Sequence, residues 1–326
     1  MTFGTVYQKS RLWVLLAIAV ALPFVITNDY WLHLLNIGGI FAICSLSLNL
    51  LTGVTGLFSV GHIAFYGIGA YTAAILATRF QLPFVAVIFC SGFMAMIFGL
   101  FLGIPALRLK GLYLAISTLA FGEITHKVFL NWEGVTNGSR GIRGIKAPEV
   151  FGISFQEYRN YYFIVLAVLV ICIVLMYHLI HSRIGRALLS IRESEIAAAA
   201  MGVDTVKYKI IAFATSSFFA GVAGCLYTYE AHFISPESFV SQESITVLAM
   251  MVVGGIGSIP GAIAGAFILW ILPEFLRFAG DVRLVIYGAA IVAIVIFAPR
   301  GVGGMIEWLD ESLSGKRVKK STKGES

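Results

Sequence analysis

The sequence has 326 residues, and its composition is that of a membrane protein. Hydrophobic residues make up 59% of the chain and charged residues 12%, compared with roughly 45–50% and about 25% in soluble domains. The apolar residues are gathered into runs, and roughly 20 helical residues cross a hydrocarbon core of about 30 Å. These proportions exclude a water-soluble fold. They predict an all-α polytopic membrane protein whose residues 1–326 form a single transmembrane domain.

The formal net charge of +6 comes from basic residues between the apolar runs and in the tails. This distribution favours orientation in a bilayer and argues against a nucleic-acid partner. All four cysteines fall inside apolar segments without C-x-x-C spacing, so neither a disulfide nor a metal site is expected. They are Cys44, Cys90, Cys172 and Cys225.

Ten apolar segments follow one another along the chain. Segments 61–78 and 243–256 are short or rich in glycine, and either is suited to be re-entrant, which gives 8–10 transmembrane helices. The first segment is interpreted as an uncleaved anchor, because its apolar run continues beyond any signal-peptide cleavage site. The segments are about 12–27, 32–51, 61–78, 83–105, 112–130, 160–180, 208–230, 243–256, 260–278 and 282–298.

The basic residues also predict the orientation of the chain. A cytoplasmic N-terminus with ten crossings puts 15 of the 23 Lys and Arg residues inside, as the positive-inside rule requires. Both termini, the 182–209 loop and the basic tail 310–326 are therefore expected in the cytoplasm.

Two glycine-rich stretches interrupt the apolar segments: a front stretch, residues 49–69, and a back stretch, residues 254–265. Broken backbone at membrane depth is tolerated where it packs in protein or lines a wet cavity, and paired interruptions indicate a transport path. The alternative is that glycine only lets helices pack closely. The candidate path residues are Asn49, Gly53, Gly56, Ser59, Gly61, His62, Gly67, Gly254, Gly255, Gly257, Ser258 and Gly261.

Few ionisable residues are expected inside the segments. Glu274 is a candidate intramembrane carboxylate, although it follows Pro273 and is also placed to lie near a helix end. Glu123, His126 and Lys127 are expected where one crossing reaches the outer interface. A secondary transporter normally has ionisable groups near the midplane, so their scarcity argues against that class.

The 182–209 loop contains helix signals. Ser190 and Glu193 have the spacing of a capping box, which predicts a helix from Ser190 to Met201. Gly202 suits the position after its end, and Asp204 suits the cap of the next helix. The alanine-rich surface of this helix is suited to fit a groove on another protein, the alternative being a surface helix without a partner.

The chain lacks the motifs of an enzyme. A G-x-x-x-x-G-K-[ST] loop is missing, since Gly315 and Lys316 are followed by Arg317 without the upstream glycine. No catalytic, cofactor-binding or metal-binding residue is predicted. The energy for transport must then come from a partner or an ion gradient.

Several motifs resemble the LivM-type permeases of branched-chain amino acid ABC importers. They are LNLLTGVTGLFSVGHIAFYGIGAYTAA (48–74), RLKGLYLAISTLAFGEI (108–124), TNGSRGI (136–142), RIGRALLSIRESEIAAAAMGV (183–203) and GGIGSIPGAIAGA (254–266).

This resemblance implies the ABC importer permease fold and a bacterial inner-membrane location. The implied partners are a second similar permease, two cytoplasmic ATPase subunits and a periplasmic amino-acid-binding protein. It also implies that Glu195, Ala197, Ala198 and Gly202 couple the chain to the ATPase. Related permeases for urea, sugars or other amino acids share parts of the glycine pattern, so those substrates stay open.

Overall fold

The computed structural model describes residues 17–26, 28–106, 109, 111–150, 153–297 and 301–304. Helices dominate this part of the chain, as the all-α prediction requires. Its strands form two short antiparallel pairs, β1 (Ile142–Arg143) with β4 (Phe233–Ile234) and β2 (Glu149–Val150) with β3 (Ile153–Ser154). The predicted tail 310–326 lies outside the described residues.

The first five apolar segments form helices. Helix α1 is described over 17–25. It is followed by α2 (Asp29–Leu48), which continues as a π-helix (Asn49–Val54), and by α3 (Ile63–Thr78), α4 (Phe84–Ala106) and α5 (Leu112–Asn131).

The rest of the chain begins with short elements, which are followed by helices of different lengths. They are α6 (Glu133–Thr136), a 3-10 turn (Gly138–Arg140), α7 (Tyr158–His181), α8 (Arg183–Glu193), α9 (Glu195–Ala200), α10 (Thr205–Ala231), a 3-10 turn (Pro236–Phe239), α11 (Ser241–Gly254), α12 (Ile259–Phe275), a 3-10 segment (Leu276–Val282) and α13 (Arg283–Phe297). A last helical turn covers 301–304.

Within the part of the chain that the structure describes, four helical segments are long and apolar enough to cross a membrane, judged by length and composition: Asp29–Val54, Phe84–Pro105, Tyr158–His181 and Thr205–Ala231. Shorter apolar helices cover Ile63–Thr78, Ser241–Gly254, Ile259–Phe275 and Val285–Ile294. Helix α5 has 20 residues, but polar side chains interrupt its apolar sequence.

Helices α2 and α10 form the centre of the bundle. Helix α10 packs against α2, α3 and α4, and α2 also packs against α7 and α12. The most apolar part of α2 is 89% buried, against 22% for α7 and 33% for α4. A Cβ atom on Gly224 of α10 would overlap the carbonyl oxygen of Tyr66 on α3, so glycine allows these two backbones to touch.

The 182–209 loop folds differently from its prediction. The prediction of a capping box at Ser190 is wrong, because α8 already begins at Arg183. The Ser182 hydroxyl caps this helix by accepting from the backbone N–H of Ile184 at 3.1 Å. Within α8, Ser190 Oγ instead donates to the carbonyl of Ala187 at 2.8 Å. The second helix starts after Ser194, whose hydroxyl accepts from the N–H of Ala197 at 3.3 Å.

The predictions for the end of this loop are confirmed. Gly202 has a φ of +84°, the left-handed conformation expected after a helix end. The Asp204 side chain accepts from the N–H of Lys207 at 3.0 Å and caps α10. The 182–209 segment therefore contains a pair of helices, α8 and α9, joined at Ser194.

Candidate coupling and translocation site

The front and back stretches meet at the buried side chain of Asn49. Its Oδ1 accepts from the backbone N–H of Gly257 at 2.7 Å, and its Nδ2 donates to the carbonyl of Ser258 at 3.2 Å. These bonds satisfy backbone groups that lie outside any helix, where hydrocarbon would leave them without partners. The sequence prediction singled out both stretches, and the structure brings them together.

In the front stretch, side chains replace backbone partners where α2 loosens into its π-helix. Thr52 Oγ1 donates to the carbonyl of Leu57, and Thr55 Oγ1 donates to that of Leu50, both at 3.0 Å. Gly56 then turns the chain with a φ of +77°. Interruptions of this kind inside α-helices are frequent at functional sites.

The remainder of the front stretch packs against other elements. A Cβ on Gly61 would overlap the carbonyl of Thr118 on α5, and one on Gly67 would lie 2.8 Å from the Phe129 ring. His62 is buried with Nε2 2.8 Å from Ser47 Oγ. Among the described residues, His62 Nδ1 and the buried Ser59 hydroxyl make no hydrogen bond.

The back stretch is built on backbone contact between α11 and α12. A Cβ on Gly254 would overlap the carbonyl of Gly261, and a Cβ on Gly261 would overlap that of Gly254. Gly255 and Gly257 have φ values of +119° and +89°, and Ser258 caps α12 by accepting from the N–H of Gly261 at 3.3 Å. Close packing therefore accounts for Gly254 and Gly261.

Arg192, at the end of α8, contacts both stretches. Its guanidinium Nη1 donates to the carbonyl of Gly53, and a Cβ on Gly257 would lie 3.1 Å from the same nitrogen. A Cβ on Gly56 would lie 3.3 Å from Arg192 Cγ. One side chain of the α8–α9 helix pair thus lies against the front and the back stretch.

A cavity of about 120 Å³ lies beside this contact. Thr55 and Gly56 line it from the front stretch, and Arg192, Glu195 and Lys209 line it from the 182–209 segment. The ammonium of Lys209, which is buried at the start of α10, is 2.6 Å from the Glu195 carboxylate. This ion pair ties α9 to α10.

The surface of α9 differs from its prediction at one residue. Ala198 is 4% exposed, so it is not part of an exposed alanine face, because α9 packs against both α8 and α10. Ala197, Ala199 and Ala200 are exposed. Two large apolar side chains flank them, Ile196 at 80% and Met201 at 84% exposure.

A buried carboxylate, that of Glu230, lies at the penultimate position of α10. Glu230 Oε1 lies 2.8 Å from His33 Nδ1 on α2, and Asn36 Nδ2 donates to the same carboxylate at 3.2 Å. Only 1% of the Glu230 side chain is exposed. Glu274 is likewise the penultimate residue of its helix, α12, and lies 3.2 Å from the Arg277 guanidinium.

Arg192 and Glu230 were missed because their contacts span 139 and 197 positions in the sequence. Arg192 counted only as a basic residue of an inner loop. Its position at the end of the amphipathic helix α8 was the available signal. Glu230 carried no pattern that separates a buried carboxylate at a helix end from an exposed one.

Comparison with known proteins identifies the family of the chain. A family model described as a branched-chain amino acid transport system permease component matches residues 30–296. The high-affinity branched-chain amino acid transport system permease protein LivM of Escherichia coli is 36% identical over 92% of this chain and 76% of its own length. A probable LivM of Methanocaldococcus jannaschii is 28% identical over 70% of this chain and 75% of its own.

A second type of permease also matches. The high-affinity permease protein LivH of Salmonella typhimurium is 25% identical over 83% of this chain and 94% of its own length. No solved structure matches the chain. By its family match and its identity to the E. coli protein, the chain belongs to the branched-chain amino acid transport permeases and is of the LivM type.

Proposed function

We propose that this chain is the membrane permease of an ATP-driven importer, which moves branched-chain amino acids from a periplasmic binding protein into the cytoplasm by alternating access. It lies in the bacterial inner membrane with both termini in the cytoplasm. The complete machine contains a second, similar permease, two ATPase subunits and the binding protein. The observation that carries the proposal is the contact of Arg192 with both glycine-rich stretches, within a chain of this family.

Hydrolysis on a partner moves this chain only through contacts that differ between two states, carried by a rigid element. The exposed face of α9 offers such a docking surface, with three alanines between Ile196 and Met201. Glu195 binds Lys209 and Ala198 packs inward, so α9 is fixed to its neighbours. A push on α9 therefore moves α8 as well.

Arg192 carries that displacement into the membrane domain. Its guanidinium binds the Gly53 carbonyl next to the π-helix and lies close to Gly257 in the back stretch. Gly56 and Gly257, on either side of it, have positive φ values, a region of backbone space that other residues rarely enter. These two turns are therefore the positions where the chain bends between the outward and inward states.

Reconstitution tests the function directly. The chain, its second permease, the ATPase subunits and the binding protein are placed in proteoliposomes, and leucine uptake is measured with ATP and with a proton or sodium gradient. We expect uptake that requires ATP and the binding protein. Uptake driven by an ion gradient without ATP would show a secondary transporter. Uptake of urea or a sugar, without uptake of leucine, would contradict the proposed substrate.

The docking face has its own test. Ile196→Glu places a charge at the exposed apolar edge of α9, and we expect the ATPase subunits to copurify at least about tenfold less, since an interface core excludes charge. Leu189→Glu, a partly exposed position on α8, is the matched control. Equal recovery of ATPase in both variants would place docking elsewhere.

A further inference from the structure

The exposed face of α5 carries ionisable side chains, unlike that of α4. Helix α4 presents apolar residues such as Phe93 and Phe101, which are 49% and 73% exposed. Helix α5 exposes Ile124 beside the carboxylate of Glu123 and the ammonium of Lys127. Charged groups at membrane depth are costly and face a protein interior or a water-filled cavity. The face of α5 is therefore not turned toward lipid tails.

Glu123 lies well inside α5 and not at its end. It is eight positions before Asn131 and eleven after Leu112, which at 1.5 Å per residue is about 12 Å and about 16.5 Å. A hydrocarbon core is about 30 Å thick. When α5 spans this core, the Glu123 carboxylate lies within the hydrocarbon region.

The position of Glu123 is fixed beside the front stretch. The hydroxyl of Ser241, the first residue of α11, donates to Glu123 Oε1. A Cβ on the adjacent Gly122 would lie 3.3 Å from the Cα of Gly61, and Thr118 Oγ1 accepts from the N–H of Val60 at 3.0 Å. A carboxylate offers about four acceptor sites, so one bond to Ser241 leaves capacity for a ligand.

Lys127 supplies an opposite charge one turn away. Side chains four apart on a helix have Cβ atoms roughly 5–6 Å apart. No ion pair joins Glu123 to Lys127 in the described part of the chain. An amino acid in its zwitterionic form carries an ammonium and a carboxylate, which are complementary in charge to Glu123 and Lys127, and the exposed Ile124 beside them offers apolar surface to a branched side chain.

We propose that Glu123 binds the α-ammonium and Lys127 the α-carboxylate of the transported amino acid, on a wall of the path that the second permease closes. The inference rests on the proposed function and names the substrate contacts within it. It requires α5 to face water in the assembled importer, whereas α4 faces lipid.

Cysteine labelling tests the environment of α5. Ala120→Cys adds a thiol three residues before Glu123 on the exposed face, and the native Cys90, exposed on α4, is the internal control. In the assembled complex, a charged methanethiosulfonate reagent should modify position 120 at least about tenfold faster than Cys90, and leucine with the binding protein should slow the reaction. Equal slow labelling of both sites, or no effect of leucine, would overturn the proposal.

Uptake tests the charges themselves. Glu123→Gln should lower leucine uptake at subsaturating concentration about tenfold, equivalent to about 1.4 kcal/mol, with normal complex yield. Glu133→Gln, an exposed carboxylate beyond α5, should leave uptake unchanged. Normal uptake by Glu123→Gln, or a loss of complex yield that marks a subunit contact, contradicts the inference. Failure of wild-type uptake would instead contradict the proposed function.

Discussion

The front and back stretches have similar glycine content but are built differently. In the back stretch, the backbones of Gly254 and Gly261 approach so closely that any side chain would overlap a carbonyl. In the front stretch, Thr52 and Thr55 satisfy carbonyls of the broken backbone with their side chains, and the Asn49 side chain satisfies Gly257 and Ser258 across the contact. Glycine content alone therefore does not distinguish a helix contact from a flexible break. The polar partners around each glycine do.

The largest expected effect sharpens this comparison in the back stretch. Gly261→Val should abolish most of the assembled complex, because its Cβ would overlap Gly254 and force α11 and α12 apart. Gly288→Val in α13, where an added Cβ meets nothing within 4 Å, is the matched control. Complex yield by size-exclusion chromatography measures both, and a normal yield for Gly261→Val would contradict the packing account.

A smaller effect is expected where the two stretches are joined. Asn49→Ala leaves the half-buried Gly257 N–H and Ser258 carbonyl without their partner, at a cost of about 0.5–1.5 kcal/mol for each hydrogen bond lost. The complex should assemble with lower thermal stability, and uptake should fall more than yield. Asn160→Ala, near the start of α7, is the control. Equal losses of uptake and yield would make Asn49 purely structural.

The smallest expected effect tests the positive φ of a glycine at a position where an added side chain would meet no neighbour. Gly202→Ala adds a Cβ that meets nothing within 4 Å but keeps a φ of +84°, so it should cost about 1–2 kcal/mol. Gly134→Ala, also in open space but without positive φ, should cost nothing. Both are read from thermal denaturation of the purified complex. A neutral Gly202→Ala would show that the turn after α9 relaxes.

Sequence patterns predicted the helices and the breaks far better than the contacts between them. The apolar runs match the helices to within a few residues, since length and hydrophobicity are local properties; α10, predicted at 208–230, covers Thr205–Ala231. The predicted start of the helix in the 182–209 loop was wrong, because Ser182 and Ser194 are the residues that cap α8 and α9, and Ser190 caps neither. Ala198 was predicted to be exposed, because its burial depends on neighbours brought there by the fold.

The central claim is that Arg192 links the α8–α9 helix pair to both stretches, and the ratio of leucine imported to ATP hydrolysed tests it most directly. Arg192→Gln is compared with Arg186→Gln, an exposed arginine on the same helix, in complexes with equal ATPase content. We predict a ratio about tenfold lower for Arg192→Gln, since losing a charged hydrogen bond of about 1.5–3 kcal/mol uncouples the two parts, and an unchanged ratio for Arg186→Gln. A wild-type ratio in Arg192→Gln would contradict the account.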